Sequence, residues 1–191
     1  PPPPRPPPPP PTHIPNTTLF RSAILQLLGE AGRIDRGAID FAGEDLTACS
    51  EQQMQAIRGD RISMIFQEPM TSLNPVIQIG KQVAEPLVLH RRMSWPDALD
   101  AAEALLRKVA IPDPRGRLSE YPHQLSGGMR QRVMIAMALA CNPKLIIADE
   151  LTSALDVVDQ PQVMDTLRDI HAEIGAAEIL VGHDMGLMAQ I

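Results

Sequence analysis

Cysteine is scarce in this sequence of 191 residues, and long apolar runs and an excess of positive charge are missing. Its two cysteines, Cys49 and Cys141, form no CxxC pair, which excludes a disulfide framework and a zinc site and indicates a reducing compartment. The longest apolar run, residues 133–141, has nine residues, whereas a membrane-spanning helix needs about 20. We therefore expect any link to a membrane to come through a partner. The net charge of -6 argues against a nucleic-acid surface, because phosphate backbones require clustered Lys and Arg.

A phosphate loop of the form G-x-x-x-x-G-K-[ST] is also absent from these residues. The Gly-Lys pair at 80–81 does not supply it, because Gln82 follows where Ser or Thr is required. Another pattern that suits phosphate is present, since Ser126, Gly127 and Gly128 stand before a long apolar helix. Free N–H groups and the positive end of the helix dipole favour an anion there. Alone this signal is weak, because Gly-Gly before a helix is often only a tight turn.

The N-terminal segment differs from the rest, since eleven of the 20 prolines lie in residues 1–15. Such a run forms polyproline II, which suits either a docking ligand for an aromatic-lined groove or a disordered tail. A third interpretation rests on residues 17–22, TTLFRS, which the end of a common sequencing adapter would encode in one frame. We hypothesise that residues 1–22 are non-native or disordered, and we leave them out of the fold prediction.

Hydrophobic periodicity divides the remainder into strands and helices. The predicted strands are a hairpin at 37–46 and buried strands at 62–67, 144–150 and 178–184. The predicted helices are 23–32 (ending at glycine), 51–59, 79–90, 94–111 (capped by Ser94), 129–141 and 157–173, with loops at 68–75 and 113–124. Strand, helix and strand in succession are typical of a parallel α/β sheet, which a helical insertion interrupts here. The expected domains are a core at 23–75, a helical subdomain at 76–128 and the rest of the core at 129–191.

Four polar side chains end predicted strands and are candidates for chemistry. Asp149 and Glu150 close the strand LIIADE, and a buried parallel strand delivers its last residues to the ligand-binding edge of the sheet. One carboxylate can hold Mg²⁺ while the next deprotonates an attacking water, although acids also simply mark a strand that enters solvent. Gln67 and His183 end two other strands. Taken singly, Gln67 indicates little and His183 is more often structural than catalytic.

The order of these patterns is more specific than any one of them. Four motifs resemble, in order, the signature, Walker B strand, D-loop and switch histidine of the ATP-binding-cassette (ABC) ATPase family: LSGGMRQR (125–132), LIIADE (145–150), SALD (153–156) and GHD (182–184). The resemblance extends over about residues 23–191. The segments 66–75 (FQEPMTSLNP) and 121–150 look specifically like the ATPase subunits of bacterial dipeptide and oligopeptide importers.

The resemblance implies a P-loop NTPase-like (RecA-like) α/β fold with a parallel sheet and an inserted helical subdomain. It also implies that two ATPase domains bind head to tail around ATP. Ser126, Gly127, Gly128 and Gln131, as signature residues, would then belong to a site for the γ-phosphate of ATP that the partner domain holds.

The same resemblance implies roles for the residues at the strand ends. Asp149 would bind Mg²⁺, and Gln67 would touch Mg²⁺ and the attacking water. Glu150 would be the general base, and His183 would fix the γ-phosphate. Asp156, in the D-loop, would link the two sites across the dimer.

The implied partners are the second ATPase domain and integral membrane permease subunits that dock near the helical insertion and the Gln67 loop. The chain would lie peripherally at the cytoplasmic face of the bacterial inner membrane. An extracytoplasmic solute-binding protein would be an indirect partner, and nucleic acid would not be one. The sequence leaves open whether the ATPase dimer is homo- or heterodimeric and which solute is carried.

Several departures from the family pattern stand out. The Walker A loop, expected just upstream of Ala23, is missing, as are the adenine-stacking aromatic residue and the core elements expected after His183. The resemblance therefore implies a chain truncated at both ends, which we expect to bind MgATP very weakly and not to hydrolyse it alone. Leu151 replaces the usual Pro after the Walker B Glu, and Gly182 replaces a common Thr before the histidine.

Two alternative functions remain open from the sequence. ABC ATPases of DNA repair or chromosome structure place a long coiled coil or zinc modules between the Gln strand and the signature. Gln67 and Leu125 are only 58 positions apart with no CxxC between them, which favours the short transporter-type insertion. The other alternative is a non-enzymatic, proline-rich adaptor that carries an ATPase remnant.

Overall fold

A computed structural model of the chain describes residues 16–28, 32–66, 69–149 and 175–181. The helices in these ranges are α1 (Asn16–Ile24), α2 (Glu51–Ile57), α3 (Pro69–Ser72), α4 (Ile79–Arg91), α5 (Trp95–Lys108), α6 (Pro114–Arg117) and α7 (Gly127–Leu139). The strands are β1 (Asp40–Phe41), β2 (Glu44–Asp45), β3 (Ile62–Ile65), β4 (Leu145–Asp149) and β5 (Ala177–Val181). The chain divides between Cys49 and Ser50 into two compact units.

The first unit, which ends at Cys49, contains the hairpin of β1 and β2. Its two-residue turn is Ala42-Gly43, with φ of 55° and 82°, and a type I′ turn requires positive φ at both positions. Asp40 supports the turn, because its Oδ1 accepts the Gly43 N–H at 3.2 Å. The hairpin predicted at 37–46 is confirmed.

Helix α1 ends at Ile24, so the prediction of a helix that runs to a glycine within 23–32 is wrong. Gln26 takes the left-handed conformation, with φ of 51°. The Leu27 N–H reaches back to the Ser22 carbonyl at 2.7 Å, which closes the helix in a Schellman motif. A glutamine thus occupies the position where glycine is most common, which explains why the sequence signal was misplaced.

The second unit, which begins at Ser50, contains a parallel sheet with the described strands in the order β3-β4-β5. Ile65 pairs with Ala148 on one side of β4, and Asp149 pairs with Val181 on the other. A central parallel strand is covered on both faces, which explains why β4 begins with an unbroken apolar run. The predicted α/β fold with a parallel sheet is confirmed. The helix predicted at 157–173 lies outside the described residues.

Helices α4, α5 and α7 pack on one another and share an apolar core with one face of the sheet. Ser94 caps α5 as expected, since its Oγ accepts the Asp97 N–H at 3.4 Å, and Pro96 lies in the first turn. The longest of the three has 14 residues. No helix in the described ranges combines the length and the apolar character that crossing a membrane requires.

Two segments predicted as loops contain short helices. Residues 68–75 include α3, and residues 113–124 include α6 and a 3₁₀ turn, Pro122–Gln124. Asp113 caps α6 by accepting the Gly116 N–H at 3.4 Å. Each of the three elements begins with a proline. Proline marks a loop in a sequence but also fits the first position of a helix, where its missing N–H costs nothing.

Candidate functional site

The candidate phosphate site lies at the start of α7, where Ser126 is the capping residue. Ser126 is extended, with φ of -66°, and its Oγ accepts the Met129 N–H at 3.3 Å. Serine suits this position because its side chain supplies an acceptor that the first helical turn lacks. The helix predicted at 129–141 therefore begins at Gly127, directly after the cap.

Ser126 and Gly127 are exposed, whereas Gly128 is buried. A Cβ on Gly127 would meet no atom of a more distant residue within 4 Å, so the space beside Gly127 is open. The N–H groups of Gly127 and Gly128 belong to the first turn, where no intrahelical acceptor exists. These donors and the positive end of a 13-residue helix can bind an anion such as a phosphate group.

Polar contacts fix the chain on either side of this site. Arg117 donates to both carboxylate oxygens of Glu120 at 2.8 Å, and this hydrogen bonding raises the pKa of the Arg117 guanidinium. Inside α7, Arg130 Nε donates to the Pro122 carbonyl at 2.7 Å. The Arg130 bond therefore ties the first turn of α7 to the 3₁₀ turn that precedes Ser126.

The carboxyl edge of the sheet carries the second group of predicted residues. The described strands end there side by side, at Ile65, Asp149 and Val181. Asp149 is the last residue of the central strand, as the sequence predicts. Gln67 and His183 each follow a neighbouring strand by two positions in the sequence. The structure thus brings together the strand ends from which these residues continue.

Gln67, Glu150, Asp156 and His183 lie outside the residues that the structure describes, and of Asp149 only the backbone is described. Within the described ranges, no three His, Cys, Asp or Glu side chains are grouped to hold a metal ion. The roles assigned to these residues by resemblance stay predictions.

Gln131 lies in the second turn of α7, and its side chain is 0% exposed. Neither its Oε1 nor its Nε2 has a hydrogen-bond partner among the described residues. The adjacent Arg132 is also buried, but it donates to the Gly128 carbonyl at 3.3 Å and to the Ala110 carbonyl at 2.8 Å. In this conformation Gln131 presents no surface to an outside ligand, and its contact with nucleotide stays a prediction.

Sequence reasoning missed Gln82, which holds the loop that leads into α4. The side chain is 5% exposed; its Oε1 accepts the Asn74 N–H at 2.8 Å, and its Nε2 donates to the carbonyls of Asn74 and Ile77 at 3.0 and 2.8 Å. The loop presents Val76, which is 78% exposed. The sequence feature that could have revealed Gln82 is a polar residue on the apolar face of a helix, next to Val83.

Comparison with known proteins adds sequence relatives. A profile described as ABC transporter matches residues 17–153. A Brucella melitensis protein named as a peptide import ATP-binding protein is 51% identical over 175 residues, covering 88% of this chain and 52% of that protein. The oligopeptide transport ATP-binding protein OppD of Bacillus subtilis is 49% identical over 170 residues, covering 88% of this chain and 48% of that protein. The chain spans about half the length of the curated relatives it matches.

Solved structures give the same fold. A dimeric ATP-binding cassette, MJ0796, in a post-hydrolysis state with bound ADP and Pi, is similar with a TM-score of 0.73 and 29% identity. The match covers 88% of this chain and 72% of that chain. The helical and parallel-sheet parts described above are therefore arranged as in a known nucleotide-binding cassette.

Proposed function

The chain belongs to the ABC transporter family, and on that premise we propose that it is the ATP-binding and ATP-hydrolysing subunit of an importer. The cargo class is peptides or related small solutes. The observation that carries this proposal is the 51% identity over 175 residues with a protein named for peptide import. The relatives described above favour neither the DNA-repair alternative nor the proline-rich adaptor.

Ser126, Gly127 and Gly128 would hold the γ-phosphate of ATP bound to a second ATPase domain. The support is the exposed cap, the open space beside Gly127 and the free N–H groups of the first turn. These features fit an anion and need no rearrangement of α7. The dimeric state of the similar cassette with ADP and Pi supports a second ATPase domain as partner.

The carboxyl edge of the sheet would supply the chemistry. Asp149 and Gln67 would hold Mg²⁺, because carboxylate and amide oxygens are the donors that this ion prefers. Bound Mg²⁺ would neutralise charge on the phosphate groups. Glu150 would accept a proton from the attacking water, and His183 would contact the γ-phosphate. The pairing order of the strands, with β4 in the middle, supports this assignment.

The remaining roles concern partners and location. Asp156 would connect the two nucleotide sites across the dimer. A membrane permease would dock near the helical insertion, where Val76 is 78% exposed, and near the Gln67 loop, which Phe66 (44% exposed) precedes. The chain would then lie at the cytoplasmic face of the bacterial inner membrane, with a solute-binding protein as an indirect partner. The net charge of -6 supports the absence of a nucleic-acid partner.

Two serines with the same capping geometry provide the test. Ser126 and Ser94 each accept an N–H from the third helical residue, at 3.3 and 3.4 Å. Ser126→Ala and Ser94→Ala should therefore each lower the free energy of unfolding by about 1 kcal/mol. Only Ser126→Ala should also lower MgATP turnover, by about tenfold, because it removes a hydrogen bond to a charged phosphate.

The assay uses the full-length protein that the genome encodes, assembled with its permease, and compares turnover with urea unfolding for both variants. Turnover of Ser94→Ala should stay within about twofold of the wild type, because removing this cap lowers only the stability of the protein. Absence of MgATP-dependent turnover in the wild type would refute the proposed function. Equal turnover in the two variants would remove Ser126 from the phosphate site.

A further inference from the structure

Two glutamines are buried in the described part of the chain, and only one of them is satisfied. Gln82 makes three hydrogen bonds to backbone groups of the loop before α4. Gln131 makes none to the described residues through either amide atom, although it is 0% exposed. Buried amides in folded proteins nearly always have partners, so an unpaired one requires an explanation.

Gln131 lies on a helix that packs against the sheet of the proposed site. Helix α7 leads back into β4, so its start lies toward the edge where the parallel strands end. α7 also packs against β3 and α3, the two elements on either side of Gln67 in the sequence. Gln131 stands in the second turn, behind the phosphate-binding start and within the layer that contacts the sheet.

The neighbours of Gln131 do not share its unpaired state. Arg132 has carbonyl acceptors in Gly128 and Ala110, and Arg130 has one in Pro122. The side chains on either side of Gln131 therefore have hydrogen-bond partners, whereas its own amide has none among the described residues. A conformation that brings a backbone donor or acceptor within hydrogen-bonding distance of such an amide is therefore favoured over one that leaves it unpaired.

We infer that Gln131 is a positioning residue for ATP hydrolysis. In the nucleotide-bound state its amide forms hydrogen bonds with peptide groups at the ends of β3 and β4, and so fixes the backbone that carries Asp149. In this role it acts through that backbone, which differs from the direct nucleotide contact that the resemblance implied for Gln131. This inference rests on the proposed function, since it assigns a part in the same reaction.

Gln131→Met tests the inference, because methionine keeps the length of the side chain and removes its hydrogen bonds. In the full-length protein assembled with its permease, kcat for MgATP should fall about tenfold while KM changes by less than about threefold. The melting temperature should stay the same or rise, because an unpaired polar group has been removed from the interior. If Gln131 only filled space, its replacement would not lower kcat while leaving the melting temperature unchanged or raised.

Ser63→Ala is the matched control. Ser63 is 3% exposed on β3, and its Oγ also lacks a partner among the described residues. It lies in the first half of β3, before the residue that ends the strand at the carboxyl edge, so its removal should leave kcat within about twofold of the wild type. Gln82→Met is the second control, and it should lower the melting temperature because it breaks three existing bonds.

The outcomes separate this inference from the function on which it rests. A wild type without MgATP turnover defeats the proposed function itself. An active wild type with a Gln131→Met variant of equal kcat defeats only the positioning role. A Gln131→Met variant that fails to fold, or loses as much stability as Gln82→Met, also overturns it, since the amide would then be part of the ground-state structure.

Discussion

At the scale of single residues, the buried side chain of Gln82 fixes the backbone of a surface loop. Its three hydrogen bonds hold the backbone of Asn74 and Ile77 against α4. Val76, between them, is therefore presented by a loop with a fixed backbone. A docking partner that used this loop would find it ordered in advance, which lowers the entropy cost of binding.

We expect Gln82→Met to reduce the free energy of unfolding by about 2 kcal/mol, because one donor and two acceptors of the loop lose their partner. Urea denaturation measures the loss. Gln78→Met is the control, since the side chain of Gln78 makes one hydrogen bond, to the Ser119 carbonyl at 3.2 Å, and its loss should cost less than about 1 kcal/mol. Equal losses in the two variants would show that Gln82 does not hold the loop.

At the scale of elements, α6 is joined to α5 by charged groups. Arg115 donates to Glu103 at 2.8 Å and to Asp100 at 3.2 Å. The hydrogen bond from Arg115 lowers the pKa of the Glu103 carboxyl below its ordinary value of 4.5. Because the folded pKa is lowered, this group contributes stability above pH 4.5 that is lost as the pH falls through the folded pKa.

Arg115→Met should therefore lower stability at neutral pH, and its effect should diminish at acidic pH, as the pH falls through the folded pKa of Glu103. Urea midpoints of the wild type and the variant, measured at both pH values, check this. Arg36→Met is a suitable control, since Arg36 is exposed and has no ion pair among the described residues. A difference of the same size at both pH values would contradict the assignment to the Arg115–Glu103 pair.

The short elements also show where sequence prediction of the fold succeeds and fails. The hairpin was predictable because Ala42-Gly43 lies between alternating residues, and the cap of α5 because Ser94 and Pro96 stand together. The single turns α3 and α6 were not, because their prolines are equally compatible with a loop. Local sequence is ambiguous where one residue type satisfies two conformations.

At the scale of the whole molecule, the second unit combines a helical layer with a parallel sheet. β4 ends at Asp149, and Ser126 caps the start of α7. Neither the end of β4 nor the start of α7 is a phosphate loop of the form G-x-x-x-x-G-K-[ST], and that pattern is absent from the 191 residues. Such a loop supplies several N–H donors and a lysine to the phosphates, so its absence should dominate the affinity for nucleotide.

We expect the chain of 191 residues by itself to bind MgATP more weakly than about 1 mM and to show no turnover. Isothermal calorimetry with MgATP measures the affinity, and an ABC cassette that contains a phosphate loop is the positive control in the same buffer. Binding at or below about 10 μM would contradict the expectation.

The sequence by itself determined the parallel sheet, the cap of α5, and the order of motifs that relates the chain to the ABC transporter family. These follow from periodicity and short-range chemistry, which each segment carries within itself. Only the tertiary structure decided that β4 lies between β3 and β5, that Gln82 is bonded and that Gln131 is buried without a partner. Pairing and burial depend on segments that are distant in the chain, and no local pattern records which of them meet.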